Sequence, residues 1–348
     1  MFLVGGVAVA RAVTRSGSSP RSITPRLHHV HSSRPEPATF TFVGGGDIAL
    51  TGNSNGAVLA GLRPFVRDAD LVIGNLEGTL ATGGAPRCLA ESACFTFRGS
   101  PAWARALRAT GFNVLTVANN HALDYGVEGQ RETLAALRGA HIVYAGLPGQ
   151  IAYVRAGKVK VALIGCAPYR WAQSLLDVRS SEALVRKASR HANVVLVYMH
   201  AGAEGSGADH VRSADEMYLG EGRGNAWVFA HTMIRAGADA VFASGPHVLR
   251  GIEWYRNRLI AFSLGNLAGT HTLSTQGSLG LSALLRVTLN EEGRFTAASV
   301  VPLRLAAAGT PVFDHDRLSL TRIRVLSRQD FGHRAVRILR YGRIAAPR

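Results

Sequence analysis

A chain of 348 residues, 47% of them hydrophobic, can bury a large core in one or two domains. Its formal net charge of +16 comes almost entirely from arginine, because lysine occurs only at Lys158, Lys160 and Lys187. Those arginines are scattered rather than interleaved with aromatics, and no nucleic-acid-binding motif is visible. The charge therefore points to an anionic membrane or an acidic polymer, with no nucleic acid expected as a partner.

Along the chain, residues 1–10 are apolar but too short to span a bilayer, and no basic stretch precedes them. Residues 15–39 are rich in Ser, Pro, Arg and His. Together, residues 1–39 read as a disordered leader, a truncated export signal or the inner end of an anchor. No later segment is long and apolar enough for a transmembrane helix. From residue 40 onward, short apolar runs alternate with amphipathic ones. Strands are predicted at 40–43, 71–73, 114–117, 142–144, 159–164, 194–198 and 240–242, and helices at 58–66, 101–109, 127–137, 181–190 and 226–236. In the 101–109 segment, Trp103, Ala106, Leu107 and Thr110 share one side, while Arg105 and Arg108 can face water. Cys88 and Cys94 lie in one short loop containing Gly and Pro, where a disulfide would restrain the excursion and favour an extracytoplasmic address. Cys166 ends an apolar run and reads as a buried thiol. After residue 250 strands dominate, at 251–254, 259–263, 282–288 and 296–302. This order predicts one α/β domain over 40–310, with two packed sheets flanked by helices. Residues 311–348, alternately basic and apolar, read as an extension packed on that domain, with an edge strand and a short helix.

Polar residues collect where the predicted strands end, the place from which α/β folds present their chemistry. Gly44-Gly45-Gly46-Asp47 permits close backbone approach but lacks the Lys-Ser/Thr ending of a phosphate loop. Asn75 and Glu77 stand two apart, so extended backbone turns both side chains one way. Asn119, Asn120, His121 and Asp124 combine amide oxygens, an imidazole and a carboxylate, an inventory suited to a metal ion and to proton transfer. Asp124 either orients His121 or caps the helix that follows. His200, with Glu204 after it, and His247 in Gly245-Pro246-His247 each follow a buried-strand pattern. Either histidine alone would read as a hydrogen-bonded loop residue. Glu253 and Asn266 are expected to shape the cleft or hold His247, and Ser263 lacks a nucleophile elbow.

As an ordered set, Gly46-Asp47, Asn75-Leu76-Glu77, the run from Ala118 through His121 and Asp124 to Gly126, His200 to Glu204, Gly245-Pro246-His247 and Ser263 to Asn266 resemble the CapA family. That family is associated with synthesis or export of poly-gamma-glutamate capsule, and its domain is similar to calcineurin-like metallophosphatases. The resemblance spans roughly residues 40–270. It implies a calcineurin-like metallophosphatase fold, a four-layer αββα sandwich of two mixed sheets between helices. It also implies a divalent metal (Mn2+, Mg2+ or Zn2+, one or two ions) held by Asp47, Glu77, Asn120, His200 and His247. His121, with Asp124, matches the group that protonates a leaving group or stabilises the transition state. Asn75, Asn119, Glu204, Arg98 and Arg250 are assigned to substrate binding, the two arginines as clamps. The chain departs from the pattern at Ala49, where related phosphatases carry a histidine two residues after the first aspartate. It departs again at Ser244, where a histidine commonly precedes the Gly-Pro-His turn. Both departures point to a single ion or a weakened second site.

The implied function is a metal-dependent hydrolase acting on an anionic cell-envelope substrate, by phosphoester or amide chemistry. The alternative is a non-catalytic polymer-binding or export-assistance protein with a degenerate metal site; an exported α/β protein with no polymer role is the plainest reading. The implied partners are an anionic polymer such as poly-gamma-glutamate and a membrane-bound capsule synthesis or export complex. The expected location is extracytoplasmic, secreted or membrane-associated.

Overall fold

Two β-sheets packed face to face organise the computed structural model, which describes residues 38–54, 56–88 and 94–347. The expected leader lies outside the described residues except at its last two positions, where Thr39 already opens a strand. The nine-stranded sheet runs Pro311–Phe313, Phe295–Leu305, Leu281–Asn290, Thr39–Ala49, Leu71–Leu76, Val114–Thr116, Val143–Ala145. Asn266–Gly269 lies beside the end of Thr39–Ala49, and Arg343–Ile344 pairs with Phe295–Leu305. The seven-stranded sheet runs Ile252–Tyr255, Arg258–Ala261, Ala240–Ser244, Val194–His200, Val159–Ala167, Ala152–Ala156, with Gln173–Ser174 on Val159–Ala167.

The strands that carry polar residues pair in parallel within each sheet, so their carboxyl ends share an edge. Asp47 pairs with both Asn75 and Asn266, and His200 pairs with Ser244. Alternation along each strand sorts the apolar side chains into three layers. Phe42, Leu71, Ile73 and Val114 meet Leu163, Leu196, Tyr198 and Phe242 between the sheets. Val43, Val72 and Leu115 pack on Trp103, Leu107 and Leu137 from the helices Ala102–Thr110 and Gly126–Gly139. Ile164, Val195 and Met199 pack on Val185, Phe229 and Met233 from the helices Val178–Ser189 and Ala226–Ala236. The result is the four-layer αββα sandwich. Each fully buried Leu or Phe contributes about 1.5–3 kcal/mol to holding the layers together.

Three local differences from the expected elements have physical causes. The strand expected at 40–43 does not stop there but continues through Gly44-Gly45-Gly46 to Ala49, with a register shift before Asp47. A Cβ on Gly44 would lie 3.0 Å from the Phe242 ring, and one on Gly46 would overlap the Gly265 carbonyl oxygen. Glycine thus lets this strand lie against its neighbours, and Tyr198 donates its hydroxyl to Gly45 O at 3.0 Å from the opposite sheet. The helix expected at 58–66 divides into a 3-10 segment, Ala57–Leu62, and one α turn, Arg63–Val66, where Pro64 supplies no N–H. Residues 311–348 do more than lie against the domain. The fourteen-residue helix Leu318–Phe331 sends Leu320 and Ile323 into the inter-sheet core, where Val336, Ile338 and Ile344 join them. Among the described residues, no helix is long and apolar enough to cross a membrane.

Candidate metal centre

The strand ends of both sheets meet around Asp47. The bulge before Asp47 turns its carboxylate toward the seven-stranded sheet. There Oδ1 accepts from Asn75 Nδ2 at 2.8 Å and Oδ2 from the Gly245 N–H at 3.1 Å. Glu77 follows the next strand, anchored by its own N–H on Ile48 O at 2.9 Å. His247 sits in the left-handed region at φ 59°, an uncommon conformation for a side-chain-bearing residue that aims its ring back at the two carboxylates. Donor atoms of Asp47, Glu77 and His247 all lie within 4.8 Å of one another. His200, at the end of its strand, places Nδ1 3.5 Å from Asp47 Oδ1 and Nε2 3.7 Å from Glu77 Oε1.

The hydrogen bonds leave a specific set of atoms unspent. His247 Nδ1 lies 2.8 Å from Asn266 Oδ1, and Asn266 Nδ2 donates to Leu279 O. That amide orientation makes Nδ1 the protonated ring nitrogen and leaves the Nε2 lone pair facing Glu77 at 3.7 Å. Asn266 therefore holds His247, as expected of it. Both Glu77 carboxylate oxygens, His200 Nε2 and Asn120 Oδ1 are buried without a hydrogen-bond partner. Buried polar atoms without partners are costly, and a set of carboxylate, imidazole and amide donors suits a divalent cation. The residues present therefore fit a metal ion.

The electrostatics point the same way. Burial pushes the Asp47 carboxyl up, but the hydrogen bond and charge of His200 and the charge of His247 outweigh it and hold the group at about 2. Burial raises Glu77 to about 8, and the neighbouring Asp47 charge adds to the rise. Burial lowers His200 to about 4, leaving a neutral imidazole at neutral pH. Burial alone would lower His247, yet the charges of Glu77 and Asp47 carry it upward. Two carboxylates this close, one of them holding a proton, are an arrangement that a cation relaxes.

Beside this cluster stands a second unit. His121 Nδ1 lies 2.8 Å from Asp124 Oδ2, which also accepts the Phe97 N–H at 2.7 Å. The following helix, Gly126–Gly139, has Tyr125 at its N-cap with no side-chain bond, so Asp124 orients His121 and does not cap. Asn119 Oδ1 accepts the His121 N–H at 3.0 Å, and the Phe97 ring packs 4.4 Å from the imidazole. His121 Nε2 is left as the ring nitrogen not engaged by Asp124. The Cys88–Cys94 disulfide is formed, and Arg87, the residue before Cys88, reaches this pair. Arg87 Nη2 lies 3.2 Å from Asp124 Oδ1, and Nη1 donates to Asn120 O at 3.3 Å.

The residues assigned to substrate binding fare differently. Asn75 and Asn119 are fully buried, and both amides are spent inside the protein. Asn75 Nδ2 serves Asp47 and lies 3.2 Å from His200 Nδ1, while Asn119 Nδ2 donates to Asn75 Oδ1 and Leu76 O. Both amide groups are thereby committed to Asp47, to each other and to the backbone beside the cluster. Arg250 is also buried, its guanidinium committed to both oxygens of Glu216 and to Ala208 O, so it is not a clamp. Arg98 is exposed and lies over the Tyr125 ring at 4.3 Å. Glu204 is at the cluster, 3.5 Å from His247 Nε2 and ion-paired with Arg223. Glu253 lies elsewhere, bound to His231 and Arg334. Ala49 packs with Leu273 and Leu305 in a small apolar cluster, and Ser244 Oγ lies 3.4 Å from His200 Nδ1.

Sequence reasoning missed Arg223, Tyr169 and Trp171. Arg223 is buried, donates to the Tyr169 hydroxyl, and reaches Glu204 from a short strand, Glu221–Gly224, that has no apolar pattern to reveal it. Tyr169 stacks on Trp171 at 4.9 Å, and Trp171 Nε1 donates to Asn119 O at 2.9 Å.

The family model described as bacterial capsule synthesis protein PGA_cap matches residues 1–270. A PGA biosynthesis protein CapA of Bacillus subtilis (strain 168) is 30% identical over 223 residues, 59% of this chain and 54% of that one. A capsule biosynthesis protein CapA of Bacillus anthracis is 25% identical over 264 residues, 70% of this chain and 60% of its own. Among solved structures, a 5'-nucleotidase precursor from Thermus thermophilus aligns with a TM-score of 0.45 at 14% identity, covering 84% of this chain and 59% of that one. The chain spans 65% of the length of the first curated relatives it matches, just under two thirds.

Proposed function

The chain belongs to the bacterial capsule synthesis protein PGA_cap family, and on that premise we propose that it is a metal-dependent hydrolase acting on an anionic envelope polymer such as poly-gamma-glutamate. The observation that carries this reading is the set of unpartnered buried donors on Glu77 and His200 packed between Asp47 and His247, beside the His121–Asp124 pair. Asp47, Glu77, Asn120, His200 and His247 would hold one divalent cation. When bound, such a cation polarises a substrate oxygen and lowers the pKa of a water. Ala49 and Ser244 offer no imidazole for a second ion, which favours a single site.

The protein's own groups supply the rest. His121 delivers a proton from Nε2 to the leaving group, while Asp124 fixes its tautomer and stabilises the cationic ring. Asn119 holds the His121 backbone, and Arg87 and the Phe97 N–H hold Asp124. Arg223 ion-pairs with Glu204 and holds it beside His247. The disulfide supports an extracytoplasmic location, with a membrane-bound capsule synthesis or export complex as partner.

The test pairs metal content with polymer length. Purified protein should take up one Mn2+ per chain and shorten poly-gamma-glutamate on a gel, and His121→Ala should retain the metal and lose the shortening. Metal uptake with no shortening by the wild type would leave the polymer-handling role without turnover as the standing reading.

A further inference from the structure

A cavity of about 770 Å3 lies beyond the edge strand Ile252–Tyr255 and shares no residue with the candidate metal centre. That edge strand is two strands out from Ala240–Ser244, whose end contributes to the centre. Five arginines line the cavity from separate parts of the chain: Arg256, Arg324, Arg328, Arg334 and Arg337. Among the described residues, no acidic side chain lines it. Two of the five are fixed in place. Arg334 Nε donates to the buried Glu253 carboxylate at 3.0 Å, and Arg324 donates through Nε and Nη2 to Ile338 O and Leu339 O. Arg256, Arg328 and Arg337 are exposed, and among the described residues none has a carboxylate within ion-pair distance. Between the arginines the walls are apolar, formed by Trp254, Val336, Ile338 and Pro347. Trp254 is held edge-on against Phe295 at 4.9 Å.

We propose that this cavity binds a segment of a carboxylate-bearing polymer, holding the chain away from the metal centre. The proposal rests on the family reading of an anionic polymer ligand and adds a place for it. Guanidinium groups donate paired hydrogen bonds to carboxylates, and prefixed arginines lose little entropy in doing so. Arginines on three separate segments match charges spaced along a chain better than one compact anion. The apolar walls between them suit the methylene groups that separate such carboxylates. A cavity of this size is within the range that encloses a ligand of several units.

The experiment measures binding of a fluorescent gamma-linked glutamate decamer by anisotropy, in metal-free protein and at several salt concentrations. The expected result is saturable binding that weakens with salt and falls about tenfold or more in an Arg328→Ala/Arg337→Ala variant. Arg328→Lys/Arg337→Lys should recover part of the loss, which separates charge from misfolding. Equal binding by wild type and the double alanine variant overturns the proposal, as does complete displacement of the decamer by tripolyphosphate at an equal concentration of charge. Decamer binding at the cavity without any metal-dependent turnover supports the proposal while removing the hydrolase reading.

Discussion

Replacing Glu77 by glutamine tests the centre through its proton. Glu77 is buried, and burial together with the charge of Asp47 lifts it to about 8 in the metal-free protein. A cation needs the carboxylate, so below that value binding must expel a proton. Half of the groups are protonated at pH 8 and nearly all below it, so the apparent Kd for Mn2+ should weaken about fivefold from pH 8 to 7 and about fiftyfold to pH 6. Calorimetry in buffers of different ionisation enthalpy should count about one proton released per ion at pH 7. In Glu77→Gln the affinity is lower and its pH slope is largely gone, because no carboxyl remains to titrate and His247 loses the charge that raised it. Without metal the sign reverses. A carboxyl whose folded pKa lies above its unfolded value costs stability as pH rises from 4.5 toward 8. Metal-free Glu77→Gln should therefore be more stable than the wild type at pH 8, by on the order of a few kcal/mol. A wild-type Mn2+ affinity that is flat from pH 6 to 8, or an unchanged slope in the variant, would refute the reasoning.

Three other perturbations separate the parts of the site. Asp124→Asn should keep full metal content yet lower turnover by about 10²–10⁴, because the tautomer of His121 is no longer set; adding His121→Ala should cost little more. Gly46→Ala forces a methyl group into the Gly265 carbonyl and should lower stability by about 1–3 kcal/mol, with a falling Tm and lost metal binding. Reducing Cys88–Cys94 should cost roughly 2 kcal/mol from so short a loop. It should also reduce kcat more than it raises KM, since Arg87 and Phe97 then hold Asp124 less firmly. Unchanged kinetics on a reduced protein, with reduction verified by thiol titration, would dissociate the loop from His121.

The parts of this molecule that sequence could reveal are those with a period or a repeated position. Alternating apolar runs announced Val194–His200 and Ala240–Ser244, and polar residues after such runs marked His200 and His247. The second half of Thr39–Ala49 was hidden because three glycines break the apolar pattern, although the close approach they allow was legible. Arg250 looked available because nothing local shows that Glu216, far along the chain, consumes it. Asn75 and Asn119 looked like substrate ligands for the same reason, since they bond to each other across two strands. The helix Leu318–Phe331 was shortened by its interleaved arginines, which conceal Leu320, Ile323 and Leu326 on its buried side.

The metal donors come from both sheets, and the bond from Gly245 to Asp47 joins residues 198 apart in sequence. No early, locally folded fragment can assemble them, since contacts of such separation close late and at high entropic cost. A cation would thus discriminate finished molecules from unfinished ones. At a hundred times its Kd it would favour the completed sandwich by about 2.7 kcal/mol while giving nothing to half of it. The centre would then serve as a lock on assembly, closed by the ion it is proposed to hold.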